Sequence, residues 1–278
     1  MYRVEFGTEV MEQTEIGTAG ILLYMPRRGS AESLVPLEVS VVYYRAGFEQ
    51  REYEACTKFP SGHWARVRLE ESTAIKCPSI LGQLAGSKKV QQALTSPDVL
   101  LKYLDPEEAA AVMDTFSPMY PMDESAYGME ARKLASNPVT CSNYILKPSR
   151  EGGGNNVYGE DIPAFLRATP EHLWKTYILM QKIRPPILEN VSISPAGGRF
   201  KGPVISELGI FGIFMWENST GKLGDIMVVK DEELSWSFKT KNAALNEMSV
   251  VKGYGCFDSP YLVDMETFLA SSHPREAL

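Results

Sequence analysis

The sequence predicts an α+β protein, and three observations predict it. Apolar, β-prone runs stand at 37–44 (LEVSVVYY), 177–183 (YILMQKI) and 204–216 (VISELGIFGIFMW), where β-branched and aromatic side chains suit a pleated surface. Helix-forming stretches alternate with them, at 62–76, 87–94, 161–168 and 170–176. The third observation is the segment 144–158 (YILKPSREGGGNNVY), in which a short apolar strand runs into three consecutive glycines.

In chain order, 21–24 fits a strand and 26–30 (PRRGS) a loop. The run 37–44 reads as a buried strand ending at Arg45-Ala46-Gly47. An arginine at the carboxyl end of a strand, followed by glycine, is either an anion-holding group or a surface arginine in a turn. Cys77-Pro78 closes the helix at 62–76, because the residue before proline avoids the helical region. Ser87 caps the next helix and puts Lys88 and Lys89 in its first turn. Cations there oppose the helix dipole; a bound anion relieves that penalty, and solvated lysines tolerate it. Pro106-Glu107-Glu108 starts a helix within 95–115, and 116–128 reads as a loop. Pro185-Pro186 ends the strand at 177–183. Glu207 is the lone acid inside its apolar run, so it is either a buried carboxylate with a partner or metal, or a solvent-facing residue on an edge strand. A turn at 217–225, a strand at 226–230 and a tight loop at Gly253-Tyr254-Gly255 complete the chain.

Composition excludes several function classes. With 278 residues, 44% hydrophobic and 23% charged, the chain is long enough for a sizeable core and two domains. A net charge of -7 and a pI near 5.2 argue against nucleic acid as the main partner. Cys56, Cys77, Cys141 and Cys256 form no CxxC pair, and His63, His172 and His273 show no ligand spacing, so neither a disulfide frame nor a zinc site is expected. No apolar run reaches membrane-spanning length and no signal sequence opens the chain, which reads as cytoplasmic with no membrane partner.

The glycine segment reads as either a surface turn or an anion cradle. Gly152, Gly153 and Gly154 allow backbone N–H groups to converge, Lys147 supplies charge for a phosphate, and Glu151 is a hard oxygen ligand for Mg²⁺. Asn155 and Asn156 tolerate the same tight backbone. The spacing is neither that of a P-loop nor that of a dinucleotide fingerprint.

Six blocks, taken together, resemble the eukaryotic glutathione synthetase family: VVYYRAGF at 41–48, KCPSILGQLAGSKKVQQ at 76–92, KPSREGGGNN at 147–156 with Tyr158, YILMQKI at 177–183, ISELGIFG at 205–212 and DSPYLV at 258–263. The resemblance implies an ATP-grasp fold, in which two α+β parts clamp ATP and a glycine-rich loop closes over its phosphates. It implies ATP and Mg²⁺ as cofactors, with Glu151 as the metal ligand. For the nucleotide it implies Lys88, Lys147, Pro148, Ser149, Arg150, Glu151, Gly152, Gly153, Gly154, Asn155, Asn156 and Tyr158 around the phosphates. Met180, Gln181, Lys182 and Ile183 would form the adenine hinge, and Glu207, Lys241 and Glu247 would complete the pocket. For the acid substrate it implies Arg45, Ala46, Gly47 and Phe48, with Lys239, Val250 and Val251 from a second mobile loop. The implied function is ATP-dependent ligation of γ-glutamylcysteine to glycine through an acyl phosphate.

The chain departs from the family pattern at named places. Only residues 1–36 precede the first matched strand, where the family carries a long N-terminal region, so an incomplete ATP-grasp protein is expected. Lys239 stands for a substrate-binding arginine, Met248 and Ser249 for two loop glycines, Gln181 for a hinge glutamate and Ser149 for a glutamine. Lysine cannot reproduce the bidentate arginine–carboxylate pair, and losing glycines stiffens a loop. Two functions follow: a glutathione synthetase-like ligase with the same or an altered substrate, or a nucleotide-binding protein without turnover. The expected division is 1–92 as a remnant of the substrate-binding domain and 93–278 as the ATP-grasp region. A homodimer or a partner chain is expected to cover the face the missing region leaves.

Overall fold

The computed structural model describes residues 1–26, 35–54, 61–150, 154–193, 198–218 and 225–260, together with 262, 264 and 266. It is a mixed helix-and-sheet structure that divides into two units, Met1–Ile183 and Arg184–Leu278.

The first unit opens with α1 (Thr8–Gln13), β1 (Thr14–Ile16), β2 (Leu22–Tyr24) and β3 (Leu37–Glu38), whose strands form an antiparallel sheet in that order. Next comes a parallel pair, β4 (Val41–Tyr43) and β5 (Ile75–Cys77), connected through α2 (Gln50–Glu54) and α3 (Ser61–Glu71). Val10, Leu22, Tyr44, Ala65, Leu69 and Ala74 make the core beneath them. From α3, Arg68 Nη1 donates to the carbonyls of Met11 (2.9 Å) and Thr14 (2.5 Å), which ties the helix to the end of α1.

Short helices follow: α4 (Ile80–Ala85), α5 (Lys88–Leu94), α6 (Pro97–Leu100) and α7 (Pro106–Met113). Their starts are written in the sequence. Ser79 and Ser87 accept from the third backbone N–H inside α4 and α5, and Asp105 with Glu108 closes a capping box on α7 with Pro106 in its first turn.

The rest of the unit is a third sheet and two helices. It contains β6 (Met119–Pro121), α8 (Ala126–Ser136), β7 (Tyr144–Pro148), β8 (Val157–Tyr158), α9 (Ile162–Ala168) and β9 (Tyr177–Gln181), with strand order β6-β9-β7-β8 and with α8 and α9 on one face. Leu146 and Leu179, directly opposite each other across β7 and β9, are fully buried with Met122, Ala131, Ala135, Ile162 and Leu166. Gly128 allows α8 to begin where it does: a Cβ there would lie 2.3 Å from the Asp123 carbonyl oxygen. Arg132 of α8 is 6% exposed, and its Nε and Nη2 both donate to the Met122 carbonyl, at 3.1 and 3.0 Å. It also reaches the exposed carboxylates of Glu171 (2.8 Å) and Glu124 (3.2 Å).

The second unit is one antiparallel sheet, β10 (Leu188–Ile193), β11 (Arg199–Glu217), β12 (Met227–Asn242) and β13 (Cys256–Asp258), in chain order. β11 pairs with β10 only over 199–204 and with β12 over 204–217. Register shifts at Phe211/Gly212 and Met215/Trp216 bend the distal hairpin, which leaves Leu208, Ile210, Phe214, Leu234 and Trp236 exposed.

Several sequence expectations are corrected. Residues 37–44 form two short strands in different sheets, because the chain changes partner at Val39-Ser40: the Val39 N–H donates to the Leu22 carbonyl and the Ser40 carbonyl accepts from the Ile75 N–H. Val41 and Tyr43 are 53% and 65% exposed, and Tyr44 is the residue that enters the core. The helix expected over 62–76 stops at Glu71, where Ser72 Oγ donates to the Leu69 carbonyl, and 75–77 is a strand. The loop expected at 116–128 contains β6 and the first residues of α8, which Ser125 caps. The strand expected at 226–230 runs on to Asn242, its charged residues 230–233 tolerated because the distal hairpin is open to solvent on these positions. Cys77, Cys141 and Cys256 are thiols, and Cys56 lies outside the described residues.

Arg132→Lys is expected to cost about 1–3 kcal/mol, because lysine cannot give the Met122 carbonyl its two donors. Lys133→Ala, which removes only the exposed 3.4 Å pair with Glu130, is expected to change stability by less than about 0.5 kcal/mol. Urea midpoints at unchanged m-value check both.

Candidate functional site

The register of β7 against β9 fixes the first part of the site. Lys147 lies opposite Ile178 and Ile145 opposite Met180, so Lys147 and Met180 share the face of the sheet turned away from the Leu146–Leu179 core. α5 packs against β6 and β9 and brings Lys88 up to Lys147. Lys88 Nζ donates to the Arg150 carbonyl at 2.5 Å, a contact that leaves its charge uncompensated. Burial, and secondarily the charge of Lys88, hold the Lys147 ammonium below the usual lysine range. Among the described residues no carboxylate pairs with Lys147 or Lys88. Lys89, in the same turn of α5, differs: burial lowers it, and Asp123 pulls it back up.

Beyond Lys147 the chain crosses Pro148, which is buried, and Ser149, whose N–H donates to the Thr176 carbonyl at 3.3 Å; Ser149 and Arg150 are exposed. Glu151, Gly152 and Gly153 lie outside the described residues. Gly154 has φ +77, a conformation that suits glycine. Asn156 Nδ2 donates to the Tyr158 hydroxyl at 3.2 Å, and Asn155 and Gly154 are engaged as well. In the hinge segment Met180 is buried, while Gln181, Lys182 and Ile183 are exposed. The Gln181 N–H donates to the Pro118 carbonyl (2.9 Å) and the Lys182 N–H to Asn143 (2.8 Å), so this backbone is held on both sides.

The turn Arg45-Ala46-Gly47-Phe48 leaves β4 with Gly47 at φ +82. Its Gly47 carbonyl accepts from the Tyr53 hydroxyl at 2.7 Å and from Gln83 Nε2 at 3.2 Å. The N–H groups of Phe48 and Glu49 both donate to Glu52 Oε2, each at 2.9 Å. Arg45 itself is exposed, its guanidinium 5.9 Å from the Tyr43 ring centre. Motif reading picks out the turn but misses Tyr53 and Gln83; Gln83 sits inside the matched block at 76–92, which is the signal that points to it.

In the second unit Glu207 pairs with Lys239, and Ile205 with Lys241, so Glu207, Lys239 and Lys241 share one face. Glu207 is solvent-facing, on a stretch of β11 whose other edge is unpaired among the described residues, which decides between its two readings; Lys239 Nζ lies 3.2 Å from its Oε1. Lys241 is buried and donates to the Leu245 carbonyl. The opposite face carries a network the motifs did not single out: Ser206 and Thr240 are 2.9 Å apart, and Asp258 Oδ2 accepts from Thr240 Oγ1 (2.8 Å) and Asn190 Nδ2 (3.2 Å). Since Thr240 donates to Asp258, Ser206 is the donor to Thr240. Glu247 is engaged, and Val251 is fully exposed beside Val250 in a turn. Among the described residues no group of three or more His, Cys, Asp or Glu side chains is placed to hold a metal, and no helix is long and apolar enough to cross a membrane.

The lowered Lys147 has a definite pH signature. Between its folded pKa and the ordinary lysine value near 10.4 the unfolded chain binds more protons, so stability rises with pH through that window. Lys147→Met is expected to remove this rise and to stabilise the ligand-free protein at neutral pH. Lys88→Gln is expected to raise the Lys147 pKa, which NMR titration of the lysine side chains reads directly.

The eukaryotic glutathione synthase ATP-binding domain model matches residues 9–262. The glutathione synthetase large chain of Schizosaccharomyces pombe is 38% identical over 227 residues, 82% of this chain and 43% of that protein. The glutathione synthetases of Xenopus laevis and Homo sapiens are 39% and 37% identical, each over 81% of this chain and 45% of theirs. The chain thus spans about half the length of the curated relatives it matches. A solved structure, a glutathione synthetase-like effector from Globodera pallida in its apo form, superposes with a TM-score of 0.58 at 22% identity, over 92% of this chain and 47% of that one, a likeness of fold. The family is ATP-dependent, with Mg²⁺ as its usual partner. On a family match that spans nearly the whole sequence, this chain belongs to the eukaryotic glutathione synthase ATP-binding domain family.

Proposed function

We propose that this chain has an ATP-grasp fold and carries the ATP-handling residues of a glutathione synthetase-like ligase, with γ-glutamylcysteine as the acid and glycine as the amine. The observation that carries this reading is the Lys147–Lys88 pair: two ammonium groups held close, one of them half-buried, with no carboxylate partner among the described residues. Such an arrangement costs stability until a polyanion arrives, and the triphosphate of ATP is a polyanion. Met180 and the tied hinge backbone stand on the same β9 strand for the base.

In the reaction the dipeptide carboxylate attacks the γ-phosphorus of ATP, the bond to the β-phosphate oxygen breaks, and ADP leaves. The glycine amine then attacks the acyl carbon, inorganic phosphate leaves, and the amine gives up a proton as the peptide bond forms. Both steps build negative charge on oxygen, and Lys147 and Lys88 are aimed at such charge from a partly desolvated site, where it counts most. The turn Arg45, Ala46, Gly47 and Phe48, with Arg45 exposed, would receive the acid. Mg²⁺ would neutralise phosphate charge; the described residues supply no ligand set for it, and Glu151 is the residue to test.

The functional division we assign, 1–92 as a remnant of the substrate-binding domain and 93–278 as the ATP-grasp region, follows the sequence blocks and not the structural units. Support for a homodimer or a partner chain comes from the exposed apolar side chains of the β11–β12 hairpin. One observation favours a nucleotide-binding protein without turnover: Glu207 and Lys239 are bonded to each other and so satisfy one another's charge without a ligand.

Phosphate release with ATP, Mg²⁺, γ-glutamylcysteine and glycine tests the proposal. Turnover is expected, with Lys147→Ala lowering it by roughly 10²–10³-fold. ATP is expected to raise the melting temperature of the unaltered protein and to lose that effect in Lys147→Ala. An ATP-induced rise with no phosphate released would sink the ligase reading and leave the binding one.

A further inference from the structure

The turn at residues 45–48 is held far more firmly than a surface loop requires. Both lone pairs of the Gly47 carbonyl are taken, by Tyr53 and by Gln83, and the next two N–H groups are taken by Glu52. Each anchor is itself fixed. Gln83 Oε1 accepts from Arg66 Nη1 at 3.0 Å, which orients the amide so that its NH₂ faces Gly47. Arg66 is 5% exposed, lies 4.0 Å over the Tyr44 ring and is bonded to Glu70 at 2.9 Å. Among the described residues its Nη2 is buried without an acceptor. The Tyr53 ring stands edge-on to Phe6 at 5.3 Å and against His63 at 5.1 Å. Gly47 itself leaves no room for adjustment: at φ +82, an added Cβ would meet Phe6 at 3.1 Å and the Tyr53 oxygen at 3.4 Å.

All this order serves a backbone whose one long charged side chain, Arg45, is exposed, its guanidinium 5.9 Å from the Tyr43 ring centre. A surface arginine in an ordinary turn gains nothing from a fixed backbone. An arginine that must meet a carboxylate in a two-point geometry gains a great deal, because the ordering is done before the ligand arrives.

We infer that Tyr53 and Gln83 are positioning residues for the acid substrate: through the Gly47 carbonyl they fix the turn that presents Arg45 to a carboxylate of the dipeptide. Arg66 acts one step further back, by orienting Gln83. The inference rests on the substrate reading proposed above. It adds two residues that would touch no substrate and whose loss would be felt by the acid and not by ATP.

The test is calorimetric binding of γ-glutamylcysteine to the whole chain in the presence of a non-hydrolysable ATP analogue and Mg²⁺. Tyr53→Phe, which keeps the ring packing and removes one donor, and Gln83→Leu are each expected to weaken the dipeptide about 5- to 10-fold, the size of one hydrogen bond, with analogue affinity unchanged. In an Arg45→Ala background Tyr53→Phe is expected to cost nothing more, since it acts through Arg45. Unchanged dipeptide affinity in Tyr53→Phe, an equal loss in the Arg45→Ala background, or a parallel loss of analogue affinity would each overturn the inference while the substrate reading stands. Failure of the unaltered protein to bind the dipeptide would overturn the substrate reading and the inference with it.

Discussion

The antiparallel pairing of β7 with β9 is the constraint on which the rest of the first unit's site depends. Because side chains alternate, burying Leu146 and Leu179 against α8 and α9 forces Lys147 and Met180 to the other face. A one-residue slip of β7 would exchange its two faces, putting the Lys147 ammonium in the core and Leu146 at the site. The core therefore sets the position of the charge. Arg132 belongs to the same logic: it binds the Met122 carbonyl just past β6 and holds α8 on the face that must stay apolar.

The same separation of faces recurs in the second unit, with polar groups on both sides. Thr240, 2% exposed, is satisfied by Ser206 and Asp258, so β12 carries a closed hydrogen-bond chain on one face. That chain tethers β13 to the centre of the sheet through Asp258, and Asn190 brings β10 into it. Lys239 and Lys241, the flanking residues, must then point the other way, toward Glu207. Lys239 reaches across the pair to Glu207, its Nζ 3.2 Å from Oε1, and so shares its charge with that carboxylate.

Much of this was legible in the sequence, and for identifiable reasons. Ser87 and Pro106 announce local geometry through short-range chemistry, so the start of α5 and the start of α7 are readable. The strand at 37–44 was misread because its alternation of apolar residues does not reveal a change of sheet at Val39-Ser40. α8 escaped because Gly128 dilutes its helical pattern, and the reason for that glycine, its approach to Asp123, is tertiary. For the site, single residues such as Lys147 and Arg45 could be named from the blocks. Their supports could not, since Tyr53 and Gln83 meet at Gly47 from segments that only the fold brings together.

Met248 and Ser249, expected to stand where a mobile loop carries glycines, sit in a packed turn. Ser249 accepts twice, its Oγ from the Lys252 N–H at 3.3 Å and its carbonyl from the Tyr254 N–H at 2.8 Å, which folds 249–254 back on itself. Gly253, at φ +78, supplies the left-handed residue this turn needs. Met248 then lies over Gly255, where an added Cβ would sit 2.5 Å from its sulfur and 3.1 Å from the Thr240 carbonyl oxygen. Glycine at 255 thus lets Met248 and the Thr240 carbonyl approach, and the turn closes onto β12 next to Lys241, whose ammonium is already given to the Leu245 carbonyl. A segment tied at both ends and filled in the middle has little conformational entropy left to lose on binding, and little reach left to gain. Val251 stands fully exposed at its tip, so whatever this turn contacts must come to it.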